Sequence, residues 1–207
     1  MFTGIIDHIG RITQITELAN GLEFTIQTQF SDLQLGESIS VDGVCLTVAS
    51  LEHNTFRAQL SPSTLAVTHA AKYSCQHSVN LERSLAVNAR FGGHFVTGHV
   101  DRVTTIQDIT QNNDFYHIKI GPFSEDEARL MVEKGSITVD GVSLTINNLS
   151  NNLSTHSNTI DFYCHLMIIP HTWSVTKWHK AKTGDLVNIE FDMMAKLLNN
   201  FLKNYFK

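Results

Sequence analysis

The sequence predicts an all-β protein that consists of two tandem, similar six-stranded antiparallel β-barrels and a C-terminal α-helix. Two observations predict the barrels: an internal duplication, and short runs of Val, Ile, Thr and Phe separated by Gly, Asn and Asp turn residues. The helical spacing of apolar residues after Asp192 predicts the helix. We therefore divide the chain into an N-terminal barrel (residues 1–90), a C-terminal barrel (91–191) and a terminal helix (192–207).

The duplication is visible in four blocks that keep the same order. Residues 37–48 align with residues 135–146 at an offset of 98, and eight of the 12 positions are identical. Thr3-Gly4 resembles Thr97-Gly98, and the blocks 61–65 and 79–82 resemble 169–173 and 187–190. Because chance similarity would not preserve this order, the chain contains two copies of one unit of roughly 90 residues.

Each copy has the pattern of a small β unit. Asp42-Gly43 and Asp140-Gly141 are tight-turn dipeptides between strand-like runs. A small unit with many short strands usually closes, because closure removes its exposed edges. Helix is scarce, and we expect only short helices at residues 124–133 and 65–71.

The C-terminal segment changes to helical periodicity. Asp192 is suited to be the N-cap. The apolar residues that follow helical spacing are Met194, Leu197, Leu198, Phe201 and Tyr205. Because two closed barrels leave little core for a helix to cover, we expect it to pack against copies of itself in an oligomer. The alternative is a helix that lies back on its own barrel.

The composition excludes some classes of function. The chain has 207 residues, a net charge of −5, 42% hydrophobic and 17% charged residues, so it lacks the basic face typical of nucleic-acid binding. Three widely spaced cysteines indicate reduced thiols. No signal peptide and no membrane-spanning run are recognised, and we expect a cytoplasmic protein.

Alternation in the repeated strand separates two faces. Val44, Leu46 and Val48 share the core side, whereas Cys45 and Thr47 lie on the other. In the second copy Ser143 and Thr145 take the equivalent positions. Such groups can hydrogen-bond a planar heterocycle, or they can be ordinary strand residues on a solvated surface.

A glycine-rich segment, residues 91–101, contains His94 and His99. Histidine suits proton transfer near neutral pH, although a lone histidine is more often structural. A zinc site would need further ligands at motif spacing, which the sequence does not offer. Cys45 can be a nucleophile, a ligand contact or a buried thiol, since no neighbouring base marks it as activated.

Five motifs together resemble the bacterial riboflavin synthase family over nearly the whole chain, from Met1 to about Asp192. They are the N-terminal Met-Phe-Thr-Gly-Ile, the segments 41–47 (VDGVCLT), 92–101 (GGHFVTGHVD) and 139–145 (VDGVSLT), and Ile169-Pro-His-Thr172. The combination is specific, although each motif alone is not.

The resemblance implies a homotrimer of two-barrel subunits held by the C-terminal helix. Each barrel would bind one 6,7-dimethyl-8-ribityllumazine, so that two substrate molecules meet in one active site between adjacent subunits. One lumazine would donate a four-carbon unit to the other, giving riboflavin and 5-amino-6-(D-ribitylamino)uracil, with no metal and no redox cofactor. Functional coupling to lumazine synthase is a further expectation, whereas nucleic acid and membrane are not expected partners.

The resemblance also implies the site residues. His99, Ser143, Cys45 and Asp192 are the expected catalytic residues, with proton handling assigned to His99 first and Asp192 second. Asp192 can also be a helix cap alone. Substrate contacts are expected from the matched positions: Phe2, Thr3, Gly4, Ile5, Cys45, Thr47, Ser61, Thr64, His94, Gly98, His99, Val100, Ser143, Thr145, Ile169, Pro170 and Thr172.

Three segments depart from the family pattern. Gln76-His77-Ser78 replaces a Gly-Asp turn, Lys177-Trp178-His179 replaces a Thr-Leu-Gly run, and residues 150–162 are long enough to predict an extended surface loop.

Two other functions compete with the synthase: a non-catalytic lumazine- or flavin-binding protein of the same fold, and a flavin-dependent reductase. The reductase lacks support because the sequence has no nucleotide-binding fingerprint.

Overall fold

A computed structural model describes residues 1–153 and 160–205. Within them the first repeat forms six strands: β1 (His8–Leu18), β2 (Gly21–Gln27), β3 (Ser38–Val41), β4 (Val44–Glu52), β5 (Thr55–Leu60) and β6 (Ser78–Arg83). The second repeat forms β7 (Arg102–Asn112), β8 (Phe115–Phe123), β9 (Ser136–Val139), β10 (Val142–Leu153), β11 (Ile160–Ile168) and β12 (Leu186–Phe191). The helices are α1 (Pro62–Val67), α2 (Glu125–Ala128), α3 (Pro170–Val175) and α4 (Met193–Tyr205), with 3-10 helices at His69–Lys72 and Lys177–Lys180.

The strands close into two antiparallel barrels with the same topology. The first has the order β1-β2-β5-β4-β3-β6, and the second has the equivalent order β7-β8-β11-β10-β9-β12. The predicted fold class, two six-stranded barrels and a C-terminal helix, is therefore confirmed. Each barrel contains its own apolar core, because inward-facing residues alternate with outward-facing ones along each strand.

The repeated strand shows this alternation as predicted. In β4 the side chains of Val44, Leu46 and Val48 are buried, whereas Cys45 is half-buried and Thr47 is exposed. In β10 Ser143 is half-buried and Thr145 is exposed at the equivalent positions. Both Asp-Gly turns form, with positive φ at Asp42 and Asp140 as well as at the glycines.

The short helices differ from their predicted bounds. The helix expected at residues 124–133 ends at Ala128. After it, the amides of Leu130 and Met131 donate to carbonyls three residues earlier, as in a 3-10 helix, and not four residues earlier as in an α-helix. The helix expected at residues 65–71 is instead α1 followed by a 3-10 helix. Ser61 caps α1 and Pro62 begins it, while Thr68 ends α1 and caps the 3-10 helix.

The extended surface loop expected at residues 150–162 is wrong at both ends. Residues 150–153 continue β10 and residues 160–162 begin β11, with Asn151 paired to Phe162 and Leu153 paired to Ile160. Cross-strand pairing thus overrides the turn-forming preference of the Asn and Ser residues. The middle of that segment lies outside the described residues.

Helix α4 exposes an apolar stripe to solvent, while its Lys196 and Lys203 form ion pairs with Asp101 and Asp126 of the second repeat. Asp192 accepts a hydrogen bond from the Met194 amide at 2.9 Å, which fits its predicted role as the helix N-cap. The exposed apolar side chains include Met194, Leu197, Leu198, Phe201, Leu202 and Tyr205. In the part of the chain that the model describes, no helix has both the length and the apolarity to cross a membrane.

Candidate functional site

Two chain segments that lead into the barrels, residues 1–7 and 91–101, cross from one repeat to the other. Phe2 and Val96 form an antiparallel bridge, in which each amide donates to the other's carbonyl at 2.8 and 3.2 Å. Because Phe2 and Val96 are equivalent positions of the repeat, this bridge lies on an approximate two-fold axis between the barrels. We name residues 1–7 and 91–101 the first and second lead-in segments.

Each lead-in segment packs against the repeated strand of the opposite barrel. The Ser143 amide of β10 donates to the Gly4 carbonyl at 2.8 Å, and the Cys45 amide of β4 donates to the Gly98 carbonyl at 2.8 Å. A Cβ at Gly4 would lie 2.6 Å from Ser143 Cβ, and one at Gly98 would lie 2.6 Å from Cys45 Cβ. Only glycine permits this approach, and both glycines also have positive φ.

Two buried carboxylates hold the lead-in segments in place. Glu82 accepts hydrogen bonds from the Thr3 amide, the Thr3 hydroxyl and the Gly4 amide at 2.6–2.9 Å. Glu190 accepts the equivalent bonds from Thr97 and Gly98 at 2.7–2.9 Å. Neither glutamate is among the predicted site residues, although both end the repeated Val-Asn-Leu-Glu and Val-Asn-Ile-Glu blocks, and that repetition is the sequence signal that points to them.

The residues predicted for the N-terminal site lie on the outer face of β4 and beside it. The structure places Cys45 beside Gly98, with the exposed His99 next along the chain, while Val100 packs against the core of the first barrel. Ser61 Oγ accepts from the Thr64 amide at 3.2 Å and lies 3.0 Å from the Thr64 hydroxyl, so these two predicted residues meet at the start of α1. Thr47 is exposed two residues after Cys45 on the same face.

The residues predicted for the C-terminal site on the outer face of β10 differ in chemistry from those on β4. His94 Nδ1 is 2.7 Å from Ser143 Oγ, and His94 Nε2 is 3.1 Å from Thr138 Oγ1. Burial lowers the pKa of His94, an effect that the nearby Asp192 carboxylate opposes. His94 is therefore neutral near pH 7, and its imidazole can accept a proton.

The remaining predicted residues differ in how far they are exposed to solvent. Ile169 and Pro170 are exposed and Thr172 is half-buried at the start of α3, as Ser61 and Thr64 are around α1. Phe2 has no exposed surface, because its backbone pairs with Val96 and its ring lies inside the protein. Phe2, from which a substrate contact is expected, is thus covered within the single chain.

A buried charge cluster joins the two Asp-Gly turns close to the two-fold axis. Lys177 Nζ lies 2.7 Å from Asp42 Oδ2 and 3.0 Å from Asp140 Oδ2. The Tyr73 hydroxyl donates to Asp42 at 2.7 Å, and His69 Nε2 lies 3.1 Å from Asp140 Oδ1. Burial by itself raises the pKa of Asp140, but Lys177 and His69 lower it to about 2.

Asparagines complete this cluster symmetrically. Asn80 Nδ2 donates to the Asp140 carbonyl at 2.9 Å, and Asn188 Nδ2 donates to the Asp42 carbonyl at 3.0 Å. Beside the cluster a cleft of about 650 Å³ opens between the barrels, lined by residues that include Tyr73, Lys177 and Trp178. None of the site residues predicted from the sequence lines this cleft. Among residues 1–153 and 160–205, no group of three His, Cys, Asp or Glu is arranged to hold a metal ion.

Comparison with known proteins identifies the family to which the chain belongs. The chain is 40% identical over 206 residues to riboflavin synthase from Actinobacillus pleuropneumoniae and equally to that from Bacillus subtilis, covering 98% of this chain and 90% of each relative. Among solved structures, LumP complexed with 6,7-dimethyl-8-(1'-D-ribityl) lumazine aligns with a TM-score of 0.76 at 22% identity, covering 92% of this chain and 98% of that one, which supports the fold. The model of the lumazine binding domain matches twice, at residues 3–84 and 97–192, and the chain therefore belongs to the lumazine-binding family.

Proposed function

We propose that the chain is a riboflavin synthase, which converts two molecules of 6,7-dimethyl-8-ribityllumazine into riboflavin and 5-amino-6-(D-ribitylamino)uracil. The observation that carries the proposal is the duplicated site, in which both barrels keep a polar strand face completed by a lead-in segment. A reaction between two identical substrates needs two binding sites of this kind. The full-length similarity to curated riboflavin synthases supports the same conclusion.

The chemistry of the substrate explains what the pockets must supply. The C7 methyl group of the lumazine is acidic, because its anion is delocalised over the ring system. The reaction therefore needs a base, groups that stabilise the anion, and alignment of two flat rings. Alignment alone can contribute about 7–11 kcal/mol to lowering the barrier, since it converts an encounter of two molecules into a reaction within one complex.

The roles of the site residues are part of the proposal. Cys45, Thr47 and Thr64 line the N-terminal pocket with Ser61, Gly98 and Val100, and Ser143, Thr145, Ile169, Pro170 and Thr172 line the C-terminal pocket with His94 and residues 3–5. His99 and Asp192 handle protons. The exposure of His99 beside Cys45 and the closeness of Asp192 to His94 support these assignments.

The assembly is also proposed. A homotrimer held by α4 would bring the N-terminal barrel of one subunit to the C-terminal barrel of its neighbour, and the exposed apolar stripe of α4 supports a helix-mediated contact. We retain the division into units at residues 1–90, 91–191 and 192–207. Cytoplasmic location and functional coupling to lumazine synthase complete the proposal.

A non-catalytic carrier is the second candidate, because the fold is shared with LumP, whose structures hold a lumazine, riboflavin or flavin mononucleotide. Incubating the protein with 6,7-dimethyl-8-ribityllumazine and no added cofactor distinguishes the two. We expect riboflavin absorbance to rise while the lumazine is consumed at two molecules per riboflavin. Lumazine that is bound but unchanged would contradict the synthase and identify a carrier.

A further inference from the structure

Glu82 lies in the first barrel but fixes a segment that packs on the second. Its Oε2 accepts from the Gly4 amide at 2.9 Å, and the Gly4 carbonyl accepts from the Ser143 amide of β10 at 2.8 Å. One residue, Gly4, therefore connects the carboxylate to the strand whose outer face carries the C-terminal site. Glu82 itself is only 4% exposed, so its influence on that face passes through the lead-in segment.

Glu190 makes the equivalent connection in the opposite direction. Its Oε2 accepts from the Gly98 amide at 2.9 Å, and the Gly98 carbonyl accepts from the Cys45 amide of β4 at 2.8 Å. The Thr97 hydroxyl donates to Glu190 Oε1 at 2.7 Å and accepts from the His99 amide at 3.3 Å. A carboxylate of the second barrel thus fixes the backbone that lies beside Cys45 in the N-terminal site.

We propose that Glu82 and Glu190 are positioning residues that act crosswise. Glu82 of the first barrel holds the substrate site of the second barrel in its binding geometry, and Glu190 of the second barrel holds that of the first. This inference rests on the proposed function, and it assigns to each of the two sites a residue from the opposite barrel.

The hydrogen bonds of each carboxylate are suited to fixing a backbone. Glu82 Oε1 accepts from the Thr3 amide and hydroxyl at 2.6 and 2.9 Å, while Oε2 is used by Gly4. Hydrogen bonds to an ionised acceptor are roughly twice as strong as neutral ones. A buried amide that loses such an acceptor is left unsatisfied, which is costly. The lead-in segment therefore has one strongly preferred position as long as the carboxylate is present.

An effect within the same barrel is the competing explanation, because Glu82, Ser40 and Cys45 form one cross-strand row on β6, β3 and β4. Neighbouring strands are about 4.8 Å apart, so Cys45 lies two strand spacings from Glu82. The buried Ser40 hydroxyl between them has no hydrogen-bond partner among the described residues, so it passes no hydrogen bond along the row. The connection through Gly4 to the opposite barrel is continuous, and it favours the crosswise role.

The variants Glu82→Gln and Glu190→Gln test the proposal as a matched pair. Each makes the same change at an equivalent buried position, and the new amide nitrogen cannot accept from a backbone amide. The ligand is an analogue of the substrate with an oxo group in place of the C7 methyl, the 7-oxo analogue. It binds without turnover, so its affinity for each site can be measured separately in the full-length protein.

Thiol protection measures the two sites one at a time. In a Cys75→Ser background, Cys45 is the thiol that iodoacetamide can reach at the N-terminal site, because Cys164 is buried. Adding Cys45→Ser and Ser143→Cys to that background moves the reporter thiol to the C-terminal site. The analogue concentration that halves the alkylation rate then gives the affinity of the site that carries the thiol.

Glu82→Gln should weaken analogue binding at the C-terminal site by roughly 10- to 100-fold, the effect of losing a hydrogen bond to a charged group. Binding at the N-terminal site should change less than threefold. Glu190→Gln should give the reverse pattern. Because both variants lose the same kind of hydrogen bond, general damage to the fold would affect the two sites alike and would not produce this reversal.

Three results would overturn the inference while leaving the synthase function intact: a loss confined to the site of the same barrel, an equal loss at both sites, and unchanged affinity at both. Should a glutamine variant fail to fold, Glu82→Asp and Glu190→Asp decide by the same comparison, since they keep the charge and only shorten the side chain. Absence of protection at both thiols in the proteins with intact glutamates would instead remove the proposed function.

Discussion

Lys177, in one of the three segments that differ from the pattern expected by resemblance, is the cation of the buried charge cluster. Its ammonium group neutralises Asp42 and Asp140, both almost fully buried, and so joins the turns that begin β4 and β10. Without it, His69 and Tyr73 would be the described side chains that face these carboxylates. Burying two carboxylates near each other without a cation is unfavourable.

The Lys177→Met variant should be destabilised by about 3–5 kcal/mol at pH 7, as measured by urea unfolding. The loss should shrink as the pH falls towards 4, because protonating one carboxyl removes the repulsion. In the wild type the pKa of Asp140 is about 2, so its stabilising contribution persists above pH 3.8 and declines only as the pH falls towards 2.

Lys180→Met is the control for that variant, because Lys180 is exposed and its ammonium group donates to Ser78 instead of to a buried carboxylate. Its unfolding free energy should change by less than about 0.5 kcal/mol. Equal stability of Lys177→Met and Lys180→Met would contradict the role that we give to the cluster.

For single residues, the sequence predicted the face of the strand on which a side chain lies, but not the side chains that it contacts. The outward direction of Cys45 and Ser143 followed from strand alternation alone. The contact between His94 and Ser143 joins residues 49 positions apart and depends on how the lead-in segments cross, for which no local pattern exists. The role of Lys177 was hidden for the same reason, since Asp42 is 135 residues away.

Among the helices and strands, α4 is the element whose start is most clearly predicted by the sequence. A capping Asp192 and helical apolar spacing were sufficient to predict it, and it spans Met193–Tyr205. The short helices and the β10–β11 hairpin were harder to predict, because one helical turn or a few Asn-rich strand residues carry little periodic signal. Their limits are set by pairing and capping partners elsewhere in the chain.

Removing residues 193–207 should convert the proposed trimer into monomers with weak activity, as measured by light scattering during gel filtration. The reason is that the apolar stripe of α4 has no partner within the described chain. The point variant Leu198→Asp should act in the same direction. Asn200→Asp adds the same charge to an exposed position of the same helix and should leave the assembly unchanged.

A truncated protein that keeps the mass of the full-length assembly would show that other surfaces hold the subunits together. Dissociation by Asn200→Asp as readily as by Leu198→Asp would likewise contradict an apolar contact, since added charge alone would then explain the effect.

For the whole molecule, the duplication predicted most of the architecture. Two copies of one β unit imply two similar barrels, and both closed barrels follow from the four repeated blocks. The sequence did not predict that each copy packs its lead-in segment against the repeated strand of the other copy, through Gly4 and Gly98. That exchange requires Gly4 and Gly98 to approach backbone atoms of the opposite barrel, which only the assembled fold makes visible.

The central claim is that each chain offers two lumazine sites, one per barrel. Equilibrium dialysis with the 7-oxo analogue, which cannot lose a C7-methyl proton, tests this claim most directly. We predict two bound molecules per chain in the wild type and one in Gly98→Ala, whose added Cβ would collide with Cys45. Gly36→Ala should retain two, because Gly36 has a similar φ of +83° but no atom within 4 Å of the added Cβ. One bound molecule per wild-type chain would contradict the account.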